Sequence, residues 1–281
     1  MPRLLLVLLL GGLLAPPMAA APAGAAPEAE LWARWAAHDA RSTTRVDHGT
    51  WAWFLQLYLR RGADGISRVD YGAVTAADRQ ELAGYVATLA AVPASRLNRD
   101  EQMAYWINLY NALTIQVVLE HYPVKSIRDV DISPGLFSRG PWGKKLVAVE
   151  GEPLSLDDIE HRILRPIWRD PRVHYVVNCA SLGCPDLPPR PLAANDLDHA
   201  LDMAAIAFVN HPRGARIEGG ELLVSSIYVW FEDDFGGDDA GVIRHLMAYA
   251  DPHLAMRLQR VEEIGGDSYD WRLNDAGQGD R

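Results

Sequence analysis

The 281-residue chain has only two cysteines, Cys179 and Cys184, and they stand five positions apart. Two thiols so placed cannot form the disulfide framework that staples small secreted domains, and they match neither a Cys-x-x-Cys redox motif nor a recognised zinc spacing. The fold must therefore rest on its own core, and neither a metal nor a cofactor is expected. Positive charge is also scarce: 27 Lys and Arg face 37 Asp and Glu, a formal net charge of −10. That balance argues against nucleic acid or an anionic membrane surface as a partner and leaves an unidentified small molecule or peptide. No Pro/Gly/Ser-rich linker and no internal repeat divides the chain. No apolar run after the N-terminus approaches the roughly 20 residues needed to span a bilayer.

The N-terminus has its own pattern. Arg3 precedes the apolar run Leu4 to Leu14, followed by small residues and prolines, the layout of a secretory signal peptide cleaved before Ala26. Residues 1–25 are thus expected to be a signal peptide without a lipid-attachment cysteine, and the protein to be periplasmic or secreted. Residues 26–281, 49% hydrophobic over the whole chain and rich in tryptophan, are expected to form one domain with its core at about 50–275.

Periodicity and caps predict the elements. Glu28 to Ala40 and Trp51 to Arg60 read as short helices. Thr75 and Asp78 fit a capping box before a helix carrying Leu82, Tyr85, Val86 and Leu89 on one face. Asn98 caps a helix running to Tyr122, apolar around its circumference and so central and buried. Asn108 and Asn111 are one turn apart inside it, and two interior amides need partners such as a neighbouring loop. Leu146 to Leu154 suggests a hairpin, and Ser155 with Asp158 a second capping box whose helix ends before Pro166. Val173 to Asn178 reads as a strand and Leu197 to Phe208 as a helix. Arg216 to Val224 forms a hairpin about Gly219-Gly220, Ala240 to Ala250 a helix, and Tyr269 to Leu273 a last strand. Helices with scattered strands predict an α+β fold: one helix-rich domain with a small, mostly antiparallel sheet.

Five segments carry a resemblance: Tyr105-Trp-Ile-Asn108-Leu-Tyr110-Asn111-Ala112; Leu156-Asp-Asp-Ile-Glu160; Pro171 to Tyr175 leading into Asn178-Cys179-Ala-Ser181; Gly183-Cys184-Pro185; and Ser226 to Phe235, with Trp230 inside it. In this order, with a closing Tyr269-Asp-Trp271, they resemble the domain of unknown function 547 family over about residues 50–275. The resemblance implies a fold and no established chemistry. Members of that family often have Ser-Cys-Pro where this chain has Gly183-Cys184-Pro185.

The segment His174 to Cys184 is where thiol chemistry must occur. A cysteine nucleophile, Cys179 or Cys184, needs a lowered thiol pKa and a nearby base. His174 is the obvious base, but in an extended strand five steps of about 3.3 Å place it roughly 16 Å from Cys179. Glu160 or His161 of the preceding helix then becomes the nearer candidate. Glu160, if buried, needs a partner such as Arg165 or Arg172. Asp233 and Asp234 read as a cap or a solvated pair, and Trp230 as core or ligand wall. A histidine at a strand start near a cysteine is similar to papain-like and transglutaminase-like enzymes, though here the central helix carries no cysteine. The leading expectation is a cysteine-dependent hydrolase or acyltransferase using Cys179, Cys184, His174 and Glu160, with Asn108, Asn111, Tyr110, Asn178, Ser181 and Trp230 binding. The alternative is a non-catalytic envelope binding protein whose two cysteines form a disulfide.

Overall fold

Thr75 and Asn98 each cap the helix expected after them: the Asp78 N–H donates to Thr75 Oγ1 at 3.1 Å and the Glu101 N–H to Asn98 Oδ1 at 3.0 Å. The computed structural model describes residues 27–135 and 139–278. The expected signal peptide, residues 1–25, lies outside the described residues.

In chain order the helices are α1 (Gly49–Tyr58), α2 (Ala76–Ala90), α3 (Arg99–His121), α4 (Arg165–Trp168), α5 (Leu197–Val209), α6 (Ser226–Trp230), α7 (Asp239–Tyr249) and α8 (Pro252–Leu258). The strands are β1 (Leu59–Arg61), β2 (Ser67–Val69), β3 (Val147–Val149), β4 (Glu152–Leu154), β5 (Ala215–Glu218), β6 (Glu221–Ser225) and β7 (Ile264–Ser268). The architecture is α+β and helix-rich, as the pattern implies. The strands form three small sheets rather than one: antiparallel β1–β2, antiparallel β3–β4, and β5–β6–β7, in which β6 and β7 run parallel. No helix among the described residues is long and apolar enough to cross a membrane.

Helix α3 is buried on nearly every side and forms the axis of the larger core, against α2 and the Asp158–Leu164 turn and under the cysteine segment. A smaller core gathers Phe208, Leu222, Val224, Tyr228, Phe235 and Leu246 from α5, the three-stranded sheet, α6, the 3₁₀ turn Glu232–Phe235 and α7.

Four expected elements differ. Residues 28–40 form no helix beyond a 3₁₀ turn at Ala33–Ala36. The N–H groups of Glu30 and Trp32 instead donate to the carbonyls of His161 and Arg162, both at 3.0 Å. Those carbonyls lack partners in the helix: across the π-helical turn Asp158–Leu164 the Arg165 N–H reaches back to the Glu160 carbonyl, and Pro166, which has no N–H, sits in the first turn of α4 instead of ending the helix. Val173 to Asn178 is not a strand. Pro171–Tyr175 is a 3₁₀ turn, started by the Arg172 N–H on the Asp170 carboxylate at 2.9 Å, with no neighbouring strand to extend it. The last strand is β7, and residues 270–274 pair instead with the cysteine loop.

Candidate functional site

Asn111 of α3 positions the cysteine segment. Its amide donates to the Val176 carbonyl and its oxygen accepts the Asn178 N–H, each at 2.8 Å, so the side chain acts as a peptide group would. Asn178 passes the constraint on: Nδ2 donates to the Pro185 carbonyl at 2.8 Å, and Oδ1 accepts the Ala180 N–H at 2.9 Å. That short closure forces Ala180 into the left-handed region at φ +57, a conformation costing about 1 kcal/mol or more for a residue with a Cβ. Residues 182 and 183 then lie against the closing segment, Leu182 N–H on the Arg272 carbonyl and Gly183 N–H on the Asp270 carbonyl, both at 2.8 Å.

Cys179 comes out of this turn partly exposed, on the wall of a cavity of about 660 Å³. Its sulfur lies 2.8 Å from the Tyr269 hydroxyl and 3.3 Å from that of Ser181, and those two hydroxyls are 2.8 Å apart. Cys184 is buried behind it, its sulfur accepting the Cys179 N–H at 3.1 Å. Both cysteines carry free thiols, so the disulfide of the alternative reading is not the state of this structure. The Cys184 hydrogen bond, helped by Ser181 and Tyr269, lowers the Cys179 thiol pKa against the opposing effects of burial and Glu160. Burial and the bond to Cys179 push Cys184 well up. The pair is therefore asymmetric: Cys179 is the easier of the two to ionise.

An ionic network faces the sulfur across the cavity. Glu160 Oε2 accepts the Tyr110 hydroxyl at 2.9 Å and Oε1 lies 3.8 Å from His174 Nδ1. His174 Nε2 is 2.7 Å from Asp234 Oδ2, which also takes the Arg165 Nε–H at 2.6 Å. Burial opposes ionisation of Asp234, but the His174 and Arg165 bonds outweigh it and hold the carboxyl at about 2. The imidazole of His174 stacks on Phe231 at 4.3 Å. Burial lowers His161 to about 4, whereas burial, reinforced by Glu160 and Asp158, pushes Asp157 up to about 7. The remaining wall is aromatic: Trp230 packs on Tyr269 at 4.8 Å and on Trp271 at 5.6 Å, and Trp142 meets Trp271 edge-on.

The cavity thus gathers Cys179, Cys184, His174, Glu160, Tyr110 and Trp230. Ser181 and Asn178 stand behind its wall. Asn108 does not line it; its amide clamps both backbone groups of Leu192 at 2.8 and 3.0 Å. Because the His174 segment is coiled rather than extended, the 16 Å strand spacing does not apply, and His174 shares the cavity with Cys179. The partner expected for Glu160 differs too: Arg165 serves Asp234, Arg172 serves Asp170, Asp198 and Asp202, and Glu160 has Tyr110. Asp234 is no cap or solvated residue, and sequence reasoning also passed over Tyr269 and Asp157. The one available signal for Tyr269 and Asp234 was their place in the resembling segments.

No curated protein and no solved structure matches the chain, so kinship with papain-like or transglutaminase-like enzymes has no support beyond residue types. One family model does match, over residues 94–209, from the turn before α3 to the end of α5. That segment, which holds Tyr110, Asn111, Glu160, His174 and both cysteines, is similar to the family described as protein of unknown function, DUF547.

Proposed function

We propose that this protein is an exported, cysteine-dependent hydrolase or acyltransferase. One observation carries the reading: the Cys179 sulfur stands at a cavity wall within hydrogen-bond distance of the Tyr269 and Ser181 hydroxyls, with Cys184 beside it, an environment that favours thiolate. The thiolate attacks the carbonyl carbon of an ester, thioester or amide. A donor that steadies negative sulfur also steadies the developing oxyanion beside it, and Tyr269 is the nearest. Asp157, with a carboxyl that titrates near neutrality, supplies the proton the leaving group needs and later takes one from the attacking water or acceptor alcohol. Glu160, Tyr110 and His174 order the facing wall. Export rests on the Leu4 to Leu14 run alone.

The test is acylation. Reduced protein mixed with p-nitrophenyl acetate should release a stoichiometric burst of nitrophenol and gain one acetyl group, mapped to Cys179 and absent from Cys179→Ala. Acetyl on lysines only, with no burst, rejects the reading. A second reading, a binding protein without chemistry, has its own supporting observation: among the described residues no imidazole is hydrogen-bonded to Cys179, and both His174 nitrogens face carboxylates. Slow, non-selective alkylation of the two thiols would favour it.

A further inference from the structure

We infer that Cys179 is a site of two-electron oxidation by a hydroperoxide and that Cys184 is the thiol that resolves it into an intramolecular disulfide. The inference uses the same sulfur as the acyl-transfer reading but does not need that chemistry.

The geometry is asymmetric in the way such a pair requires. Cys179 is partly exposed to a cavity ample for hydrogen peroxide or a small alkyl hydroperoxide. Cys184 is 4% exposed and shielded behind it. The Cys179 N–H holds the Cys184 sulfur at 3.1 Å, so the second sulfur is kept against the residue bearing the first. This proximity is built in several ways. The Cys184 N–H turns back onto the Ser181 carbonyl at 3.2 Å, and Asn178 ties the loop's two ends together through Pro185. Arg213 holds the carbonyls of Leu182 and Cys184 at 2.9 and 2.7 Å and pairs with Asp186. The chain has no third cysteine, so a sulfenic acid on Cys179 has no other resolving thiol within the molecule.

The steps balance. The Cys179 thiolate attacks the peroxide oxygen; an S–O bond forms, the O–O bond breaks, and the leaving alkoxide or hydroxide takes a proton from water. Cys179 becomes a sulfenic acid. The Cys184 sulfur then displaces the hydroxyl: its S–H proton leaves with that oxygen as water, and the S–S bond forms. Two thiols have given two electrons to one hydroperoxide. Return to the dithiol needs an external thiol, by exchange at the disulfide. While the disulfide stands, Cys179 cannot act as a nucleophile, so oxidation is a reversible block on the cavity's sulfur.

Reduced full-length protein is treated with hydrogen peroxide and followed by intact mass and peptide mapping, beside Cys184→Ser and Cys184→Ala, two variants so that a folding defect in one does not decide the result. The wild type should lose the mass of two hydrogens, show no dimedone adduct at completion, and recover its thiols in dithiothreitol. Both variants should trap dimedone at Cys179 and, without it, gain two oxygens there. Oxygen addition to the wild type with Cys184 still free overturns the inference, as does first oxidation at Cys184 or no oxidation of either. Acetylation of the same reduced sample by p-nitrophenyl acetate separates the two ideas: disulfide without acylation removes the acyl-transfer reading alone, and acylation without disulfide removes this one alone.

Discussion

The phenol oxygen of Tyr269 lies 2.8 Å from the sulfur of Cys179, although ninety residues of chain separate them. The contact brings the closing segment of the protein to the cysteine loop, and much of the reactivity assigned to Cys179 depends on it.

Removing a donor from that sulfur should make it harder to ionise. Tyr269→Phe and Cys184→Ala should each raise the Cys179 thiol pKa. At neutral pH, alkylation by iodoacetamide should slow about fivefold for each donor lost, taking about 1 kcal/mol per hydrogen bond. The rate-against-pH curve of each variant measures this. Superimposable curves would mean the hydroxyl and thiol do not act on Cys179.

Gly183 has a steric reason to be glycine. A Cβ there would stand 2.6 Å from the backbone nitrogen of Asp270 and 3.0 Å from the Tyr269 ring. Gly183→Ala should therefore push the closing segment away, at a cost of about 1–3 kcal/mol, and slow alkylation of Cys179 as Tyr269→Phe does. Urea unfolding together with the alkylation rate tests the pair of effects.

Asn111→Ala leaves the buried Val176 carbonyl and Asn178 N–H without partners. Each orphaned group costs about 1–3 kcal/mol, and the loop carrying Cys179 loses its anchor to α3. Denaturant unfolding should show the loss, with hydrogen exchange at residues 176–180 rising more than in α2.

Asp234→Ala strips the carboxylate from Arg165, whose side chain is 5% exposed, and from His174. An uncompensated buried guanidinium costs about 3–5 kcal/mol, so this variant should be among the least stable single changes in the cavity. A loss below about 1 kcal/mol would class the pair with exposed ion pairs.

Stability should rise with pH between about 4 and 6.5. Burial lowers His48, His161 and His245 to about 4 from the 6.5 of the unfolded chain, so in this window the unfolded state holds more protons. Asp157 opposes them: its folded carboxyl titrates near 7 against 3.8, so stability contributed below 3.8 is lost as pH rises to 7. Three imidazoles against one carboxyl give a net gain. The urea midpoint should climb from pH 4 to 6.5, and Asp157→Asn should steepen the climb and remove the decline just above it.

Local physics was enough for the frame. Thr75, Asn98 and Ser155 announce their helices because a cap acts over three residues, and Gly219-Gly220 marks its turn because few residues accept φ +61 and +97 in succession. The place of Asn108 and Asn111 in an apolar helix marks their amides as loop fasteners. The sulfur-bearing loop was legible for the same reason, since both cysteines lie within it. Which groups surround it was not. Asp234 meets an arginine 69 positions earlier, and Tyr269 meets a cysteine 90 positions away, through packing that no short window encodes. Residues 173–178 have a strand's composition but no neighbouring strand, and Asn111 claims two of their backbone groups. Short-range hydrogen bonding, written in neighbouring residues, determined the helices and turns; long-range packing alone decided which acids, hydroxyls and thiols share one cavity.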